Sequence, residues 1–354
     1  MEWESKQLGI RELEDMRIVA GSDLPFSLYR KSTFLITGAT GLIGSLLVKN
    51  LLYCNRIHDL DLKVLAVVRD RQKAEKLYAD FPESGTLEFI ICDLEKEPVC
   101  VDTKIDYIIH AAAVTQSKIM VTKPVETIRL SFNSTDQLLS LAMKNNVKCF
   151  LYISSMEVYG VVDRNDKVDE KRLGYLDLSA VRSCYPESKR MCECLCVSYA
   201  EQYHVNVRIA RLAQTFGAGV LKTDNRVFAQ FAGSVKQKKN IVLHTYGKSE
   251  GNYVYTRDAV RALLLLLVKG EQAGAYNISN ERSHMTIARM AEMVAHDIAK
   301  DTIQVVYDIP DDLSAYGYAA DTKLFLDSGK MMELGWKPEV GLKEAFERMM
   351  DEQE

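Results

Sequence analysis

Long apolar stretches are absent from this 354-residue sequence. The longest, ALLLLLV at 262–268, falls far short of the roughly 20 residues that cross a bilayer. Following Asp258 and Arg261, it reads as a buried helix, and no membrane partner is expected. The first residues, MEWESKQLGIRELEDM, are charged and hold no apolar leader core, so the expectation is a cytoplasmic protein. Positive charge is not in excess: the formal net charge is −4, which leaves no electrostatic footprint for a nucleic acid. No internal repeat or low-complexity tract occurs.

Zinc-type cysteine spacing is missing as well. The eight cysteines include one cluster, Cys192, Cys194 and Cys196, and no second cluster with the C-x-x-C spacing of a zinc site. On a helix, alternate positions point about 200° apart, so Cys194 faces away from the other two. The thiols are expected to be reduced packing groups, with no metal site. What the chain does have is apolar content, 47% of residues. That suits one large or two closely joined domains.

The apolar residues are arranged in alternation. STFLIT, LKVLAVVRD, LEFIICDL, DYIIHAAA, KCFLYISS and VNVRIARL have the short, apolar pattern of buried strands. SLLVKNLL, RQKAEKLYAD, SFNSTDQLLSLAMKNN and YPESKRMCECLCVSYAEQY lie between them with helical spacing. This predicts an α/β fold, a Rossmann-type doubly wound parallel sheet. Beyond Gly217 loops, helices and short strands (IVLHTYG, AGAYNIS, IQVVYD) mix. The expected division is a polar, helical lead-in over 1–31 and a dinucleotide-binding core over 32–175, continued by about 176–216. A smaller substrate-binding α/β domain follows over 217–354, interleaved with the core and capping the carboxyl edge of its sheet.

TGATGLIG spaces Gly38, Gly41 and Gly44 three apart. Glycines so placed allow a tight turn, backbone approach to a pyrophosphate and close strand–helix packing, while the helix start offers free N–H groups and positive dipole. The strand before it and the helix after it supply the context the motif needs. The candidate cofactor-binding residues are Gly38, Thr40, Gly41, Leu42, Ile43 and Gly44. Arg69, in VVRDRQK, stands where a ribose-binding acid often ends the second strand, with Asp70 next. An acid there favours NAD and an arginine a 2′-phosphate, so NAD or NADP is expected with a lean to NADP. Asp70 as the ribose ligand is the competing reading. Asp93 and Leu94 after the third strand are placed for the adenine edge, and Ala111, Ala112 and Ala113 follow the fourth strand beside the turn.

With these motifs in place the chain resembles the extended short-chain dehydrogenase/reductase family, in its nucleotide-sugar epimerase/dehydratase branch. The likeness runs over about 32–345 and rests on TGATGLIG, DYIIHAAA with Asn133 some twenty residues on, ISSMEVYG, YPESK, RLAQTFGAG, NYVYTRDAVRAL, AYNIS and LGWKP, in the family's order. Tyr185 and Lys189, at i and i+4, share one helix face. The resemblance implies that Tyr185 takes a sugar hydroxyl proton while hydride passes to the nicotinamide. Lys189 would hold the nicotinamide ribose and Ser155 would bond the reacting oxygen. The ammonium and the nicotinamide are expected to lower the phenol's affinity for its proton.

Dehydratases of the branch carry an Asp–Glu pair after that serine, because elimination needs an acid and a base. Here the pair is Met156 and Glu157, and a thioether donates no proton. A 4-epimerase working through a transient 4-keto sugar needs neither group and is the expected activity. The alternatives are an NADPH-dependent keto-sugar reductase, a dehydratase or decarboxylase, for which Glu157 fits but Met156 does not, and a non-enzymatic dinucleotide sensor. The expected substrate is a nucleoside-diphosphate sugar. Thr115, Met156, Gln214 and Arg226 are the candidate substrate-binding residues. Gln214 replaces the family's asparagine. Gly251 stands where an arginine often binds the diphosphate, so Arg226 is the substitute. The family's four-helix pairing implies a homodimer, with the helix over 186–203 contributing.

Overall fold

The computed structural model describes residues 8–81, 84–162, 166–221, 224–310 and 321–352, so 1–7 of the lead-in lie outside it. Twelve strands fall into three sheets. β1 (Thr33–Thr37), β2 (Lys63–Val68), β3 (Leu87–Ile91), β4 (Tyr107–His110), β5 (Cys149–Ser155), β6 (Val207–Leu212) and β10 (Gly274–Ile278) form one parallel sheet. Its order is β10-β6-β5-β4-β1-β2-β3. Sequences such as TFLIT and KVLAVV are apolar on both faces because both faces are covered. β7 (Gln214–Phe216), β9 (Glu250–Tyr255) and β11 (Asn280–Thr286) make a second sheet, and β8 (Ile241–Leu243) pairs with β12 (Val305–Tyr307).

The eleven helices are α1 (Ile10–Ala20), α2 (Leu42–His58), α3 (Arg71–Leu77), α4 (Ser117–Thr122), α5 (Pro124–Asn145), α6 (Cys184–Tyr203), α7 (Val227–Gln237), α8 (Thr256–Lys269), α9 (Ile287–Met293), α10 (Gly329–Glu333) and α11 (Leu342–Glu352), counted among the described residues. α1, α2 and α8 share one core with the sheet, around Leu47, Leu51, Leu263 and Leu266. On the opposite face α5 and α6 pack through Leu138, Leu139, Cys192 and Cys196. None of the helices is long and apolar enough to cross a membrane. Cys192 and Cys196 are buried while Cys194 is exposed.

The parallel order reverses direction of winding between β1 and β4, which pair side by side with Thr37 opposite His110. In such sheets the crevice for a ligand opens at the carboxyl ends of these two strands. β7 leaves the end of β6 after one residue, and β10 returns to the large sheet beside β6. The chain after Gly217 is thereby threaded back into the core.

α1 was only a charged lead-in by sequence. It packs on α2, α8 and α11. Its Asp15 is buried and accepts from Arg348 at 2.6 Å, Arg257 at 3.3 Å and the Tyr255 hydroxyl at 2.6 Å. Burial pushes this carboxyl up, against the pull of Tyr255 and the two guanidiniums. Glu12 pairs with Lys49 of α2 at 2.8 Å.

Candidate active site

The bend after β1 is dictated by backbone. Gly38 has φ +65°, and a Cβ there would lie 2.8 Å from the Ala111 carbonyl and the Ala112 nitrogen. A Cβ on Gly44 would meet the Gly38 oxygen at 2.2 Å. The glycines thus let three backbone segments meet: the end of β1, the start of α2 and the residues after β4. Gly41 closes the turn by donating to the Gly38 carbonyl at 2.9 Å and precedes the first residue of α2. The first N–H groups of α2, from Leu42 through Gly44, have no partners within the helix and face the anion-attracting end of its dipole. Thr40 and Ala111 to Ala113 are half-buried around this cradle. These residues fit a dinucleotide pyrophosphate.

Further along the strand ends, Asp70 caps α3, its Oδ1 accepting from the Lys73 N–H at 3.0 Å. Arg69 beside it is exposed. Asp93 is held by Lys96 at 2.8 Å, which keeps its carboxyl below the usual range, and Leu94 is buried.

The second part of the site lies where β5 ends and α6 begins. Ser155, whose Oγ accepts from the Glu157 N–H at 3.2 Å, stands near the Tyr185 oxygen and favours its ionised form. Lys189, one turn on, sits with its ammonium 5.9 Å from the Tyr185 ring and 4.6 Å from that of Tyr152. Its Nζ donates to the Ile153 carbonyl at 2.7 Å, and burial lowers it to about 8. It also acts on buried His110, whose two ring nitrogens meet Thr37 at 2.8 Å and Ser134 at 3.2 Å. Burial, helped by Lys189, lowers that imidazole to about 3. His110 thus ties the ends of β1 and β4 to Ser134 on α5, within the field of the Lys189 charge.

One expectation is corrected here. Tyr185 is buried, and its phenol is pushed up by burial and next by the Glu157 charge; Ser155, Arg182 and Arg226 pull the other way. Burial outweighs these neighbours, so the adjacent Lys189 ammonium does not by itself make this phenol acidic. Asn133 is also exposed on α5, and Ser134 is the side chain that faces inward to His110.

Glu157 pairs with Arg182 at 2.9 Å, and Met156 packs against the core. Sequence reasoning missed Arg182, although its place three residues before Tyr185 was a usable signal. It missed Glu193 too, which follows Lys189 by four on the same face. Glu193 accepts from Ser154 at 2.5 Å and from Arg211 at 2.7 Å, and Arg211 donates on to Tyr159 at 3.0 Å. This buried network ties the residues flanking Ser155, Met156 and Glu157 to α6. Arg226 forks onto Asp224, donates to the Thr215 carbonyl at 3.3 Å, and its charge reaches Tyr185. Gln214, next to Thr215 on β7, is half-buried, whereas Thr115 is exposed.

A glycine bend and a Tyr–Lys pair at the strand ends of a doubly wound parallel sheet define a protein of the Rossmann type. The profile of the NAD dependent epimerase/dehydratase family matches residues 34–279, and the chain belongs to that family. It is 30% identical to a UDP-glucuronic acid decarboxylase of Arabidopsis thaliana, over 90% of this chain and 88% of that one. It is 27% identical to a dTDP-D-glucose 4,6-dehydratase of Bos taurus, over 90% and 87%. Among solved structures, a UDP-glucose 4-epimerase of Thermotoga maritima superposes with a TM-score of 0.74 at 22% identity, covering 91% of this chain and 98% of the other.

Proposed function

We propose that this enzyme binds NAD(P) at the glycine bend and uses it to oxidise the sugar of a nucleoside diphosphate transiently at C4. The nicotinamide, when bound, supplies a hydride acceptor. Tyr185 takes the hydroxyl proton, Ser155 orients the oxygen, and Lys189 steadies the nicotinamide ribose. The gathering of Ser155, Tyr185 and Lys189 where β5 ends and α6 begins, on the sheet that also carries the glycine bend, supports the reading. Met156 offers no acid for a leaving hydroxyl, which favours return of the hydride over loss of water, and so a 4-epimerase. The Glu157–Arg182 pair, together with the decarboxylase relatives, favours a second reading: loss of carbon dioxide from a 4-keto sugar acid.

Chromatographic separation with mass spectrometry of products from UDP-glucose and UDP-glucuronic acid separates these readings. A new peak of unchanged mass, resolved from the substrate, supports the epimerase and loss of carbon dioxide the decarboxylase. Loss of water, or steady consumption of added NADPH, overturns both.

The exposed Arg69, with Asp70 engaged as a helix cap, supports acceptance of NADP as well as NAD. The lobe of β7, β9, β11 and α7 is proposed to hold the sugar nucleotide, with Arg226, Gln214, Met156 and Thr115 toward it. Exposed apolar side chains on α5 (Val125, Ile128, Phe132) and α6 (Met191, Val197, Tyr203) support pairing of two copies through these helices. Light scattering checks it: a dimeric mass that Phe132→Glu reduces to a monomeric one is expected.

A further inference from the structure

Arg182 lies outside the motifs ISSMEVYG and YPESK, yet its guanidinium sits against the Tyr185 ring. It lies in a one-turn 3₁₀-helix, Val181–Ser183, that runs directly into α6. From there its Nη2 donates to Oε1 of Glu157, 25 residues away in sequence, at 2.9 Å. Its guanidinium carbon is 5.8 Å from the centre of the Tyr185 ring. Its Nε is buried and meets no acceptor. The catalytic phenol therefore has a carboxylate and a guanidinium beside it, and the two oppose each other.

The conflict is a matter of charge. A carboxylate near a phenol disfavours phenolate, and a guanidinium favours it. Left unpaired, Glu157 would hold the proton on the group that must receive one. Paired with Arg182, it is drawn toward the guanidinium by a charge-assisted bond. Arg182 spends only part of its donor set on Glu157, so positive charge remains at the ring. The other charged or titratable groups facing Tyr185 are Lys189 on α6, Tyr152 on β5, Arg226 before α7 and the Cys184 thiol. Lys189 is turned to Ile153 and Arg226 is forked onto Asp224, which leaves Arg182 as the cation set against Glu157.

We propose that Arg182 is a positioning residue of the tyrosine centre, holding the Glu157 carboxylate off the phenol and supplying the charge that lets Tyr185 give up its proton. The assignment rests on Tyr185 being the proton acceptor of the proposed oxidation.

The test reads the phenol itself. 3-Fluorotyrosine is placed at position 185 of the full chain, saturated with NAD, and titrated by fluorine NMR. Arg182→Met is expected to raise the probe's pKa by about one unit. Arg182→Lys should keep it near the unsubstituted value, and Glu157→Gln/Arg182→Met should return it to that value or below. An Arg182→Met titration that coincides with the parent, or a rise equally large in Arg182→Lys, overturns the proposal. Should Arg182→Met not fold by circular dichroism, Arg182→Gln decides: a rise of about one unit supports the proposal and a titration that coincides with the parent overturns it. Failure of the redox reading looks different. The parent chain would then titrate as expected, yet leave NAD oxidised with both UDP-glucose and UDP-glucuronic acid in single-turnover absorbance at 340 nm.

Discussion

Around the bend after β1 the site is made of backbone, whereas around Tyr185 it is made of side chains that meet across the fold. At the bend, Gly38 and Gly44 stand where any Cβ would drive into a peptide group at 2.8 or 2.2 Å. At the tyrosine, position depends on pairs: Glu157 with Arg182, Glu193 with Arg211, Lys189 with the Ile153 carbonyl. The first kind of site has a single residue type as its solution and fails completely. The second kind tolerates substitution in graded steps, because each pair removes only its own share of order.

The largest expected break is at the bend. Gly44→Val should abolish dinucleotide binding in a fluorescence titration and lower the melting temperature, since no flexible neighbour can yield to the new carbon. Tyr185→Phe sharpens the contrast: dinucleotide binding should survive while turnover falls about 10²–10⁴-fold. Next comes the buried clamp beneath the tyrosine. Glu193→Gln leaves Arg211 without its counter-charge and should cost about 3–5 kcal/mol in urea unfolding.

A smaller effect is read from pH. His110 has its folded pKa lowered to about 3, so on acidification the unfolded chain binds a proton before the folded one does. Stability conferred by the neutral ring is complete above pH 6.5 and is lost as pH falls toward 3. Between pH 6.5 and 5 the loss should be about 2 kcal/mol, and His110→Asn should flatten that part of the urea midpoint profile. The smallest change is at the far rim. Arg69→Ala should weaken NADP by about tenfold relative to NAD, measured as a ratio of dissociation constants.

The same difference explains what was readable in advance. The strands of the large sheet, the glycine bend and the Ser155–Tyr185–Lys189 set are local patterns, and they stand where their spacing put them. β7 has only three residues, and β11, NERSHMT, is long enough but has no apolar alternation to announce it; the pairing of both with β9 is a tertiary choice. The direction of the Tyr185 shift was misjudged because burial, which outweighs its neighbours there, cannot be seen in a Y-x-x-x-K spacing. Arg182 passed unnoticed because its partner lies across the loop between β5 and α6; α1 was expected as a helix, but not its docking through Met16, Val19 and the buried Asp15.

That aspartate has a consequence for how the two lobes sit. Asp15 grips Arg257 at the start of α8 and Arg348 on α11 at once, so α1 staples the core beneath the large sheet to the separate core that α11 helps to form. Parting the two would have to pull a buried carboxylate away from both cations, which is costly.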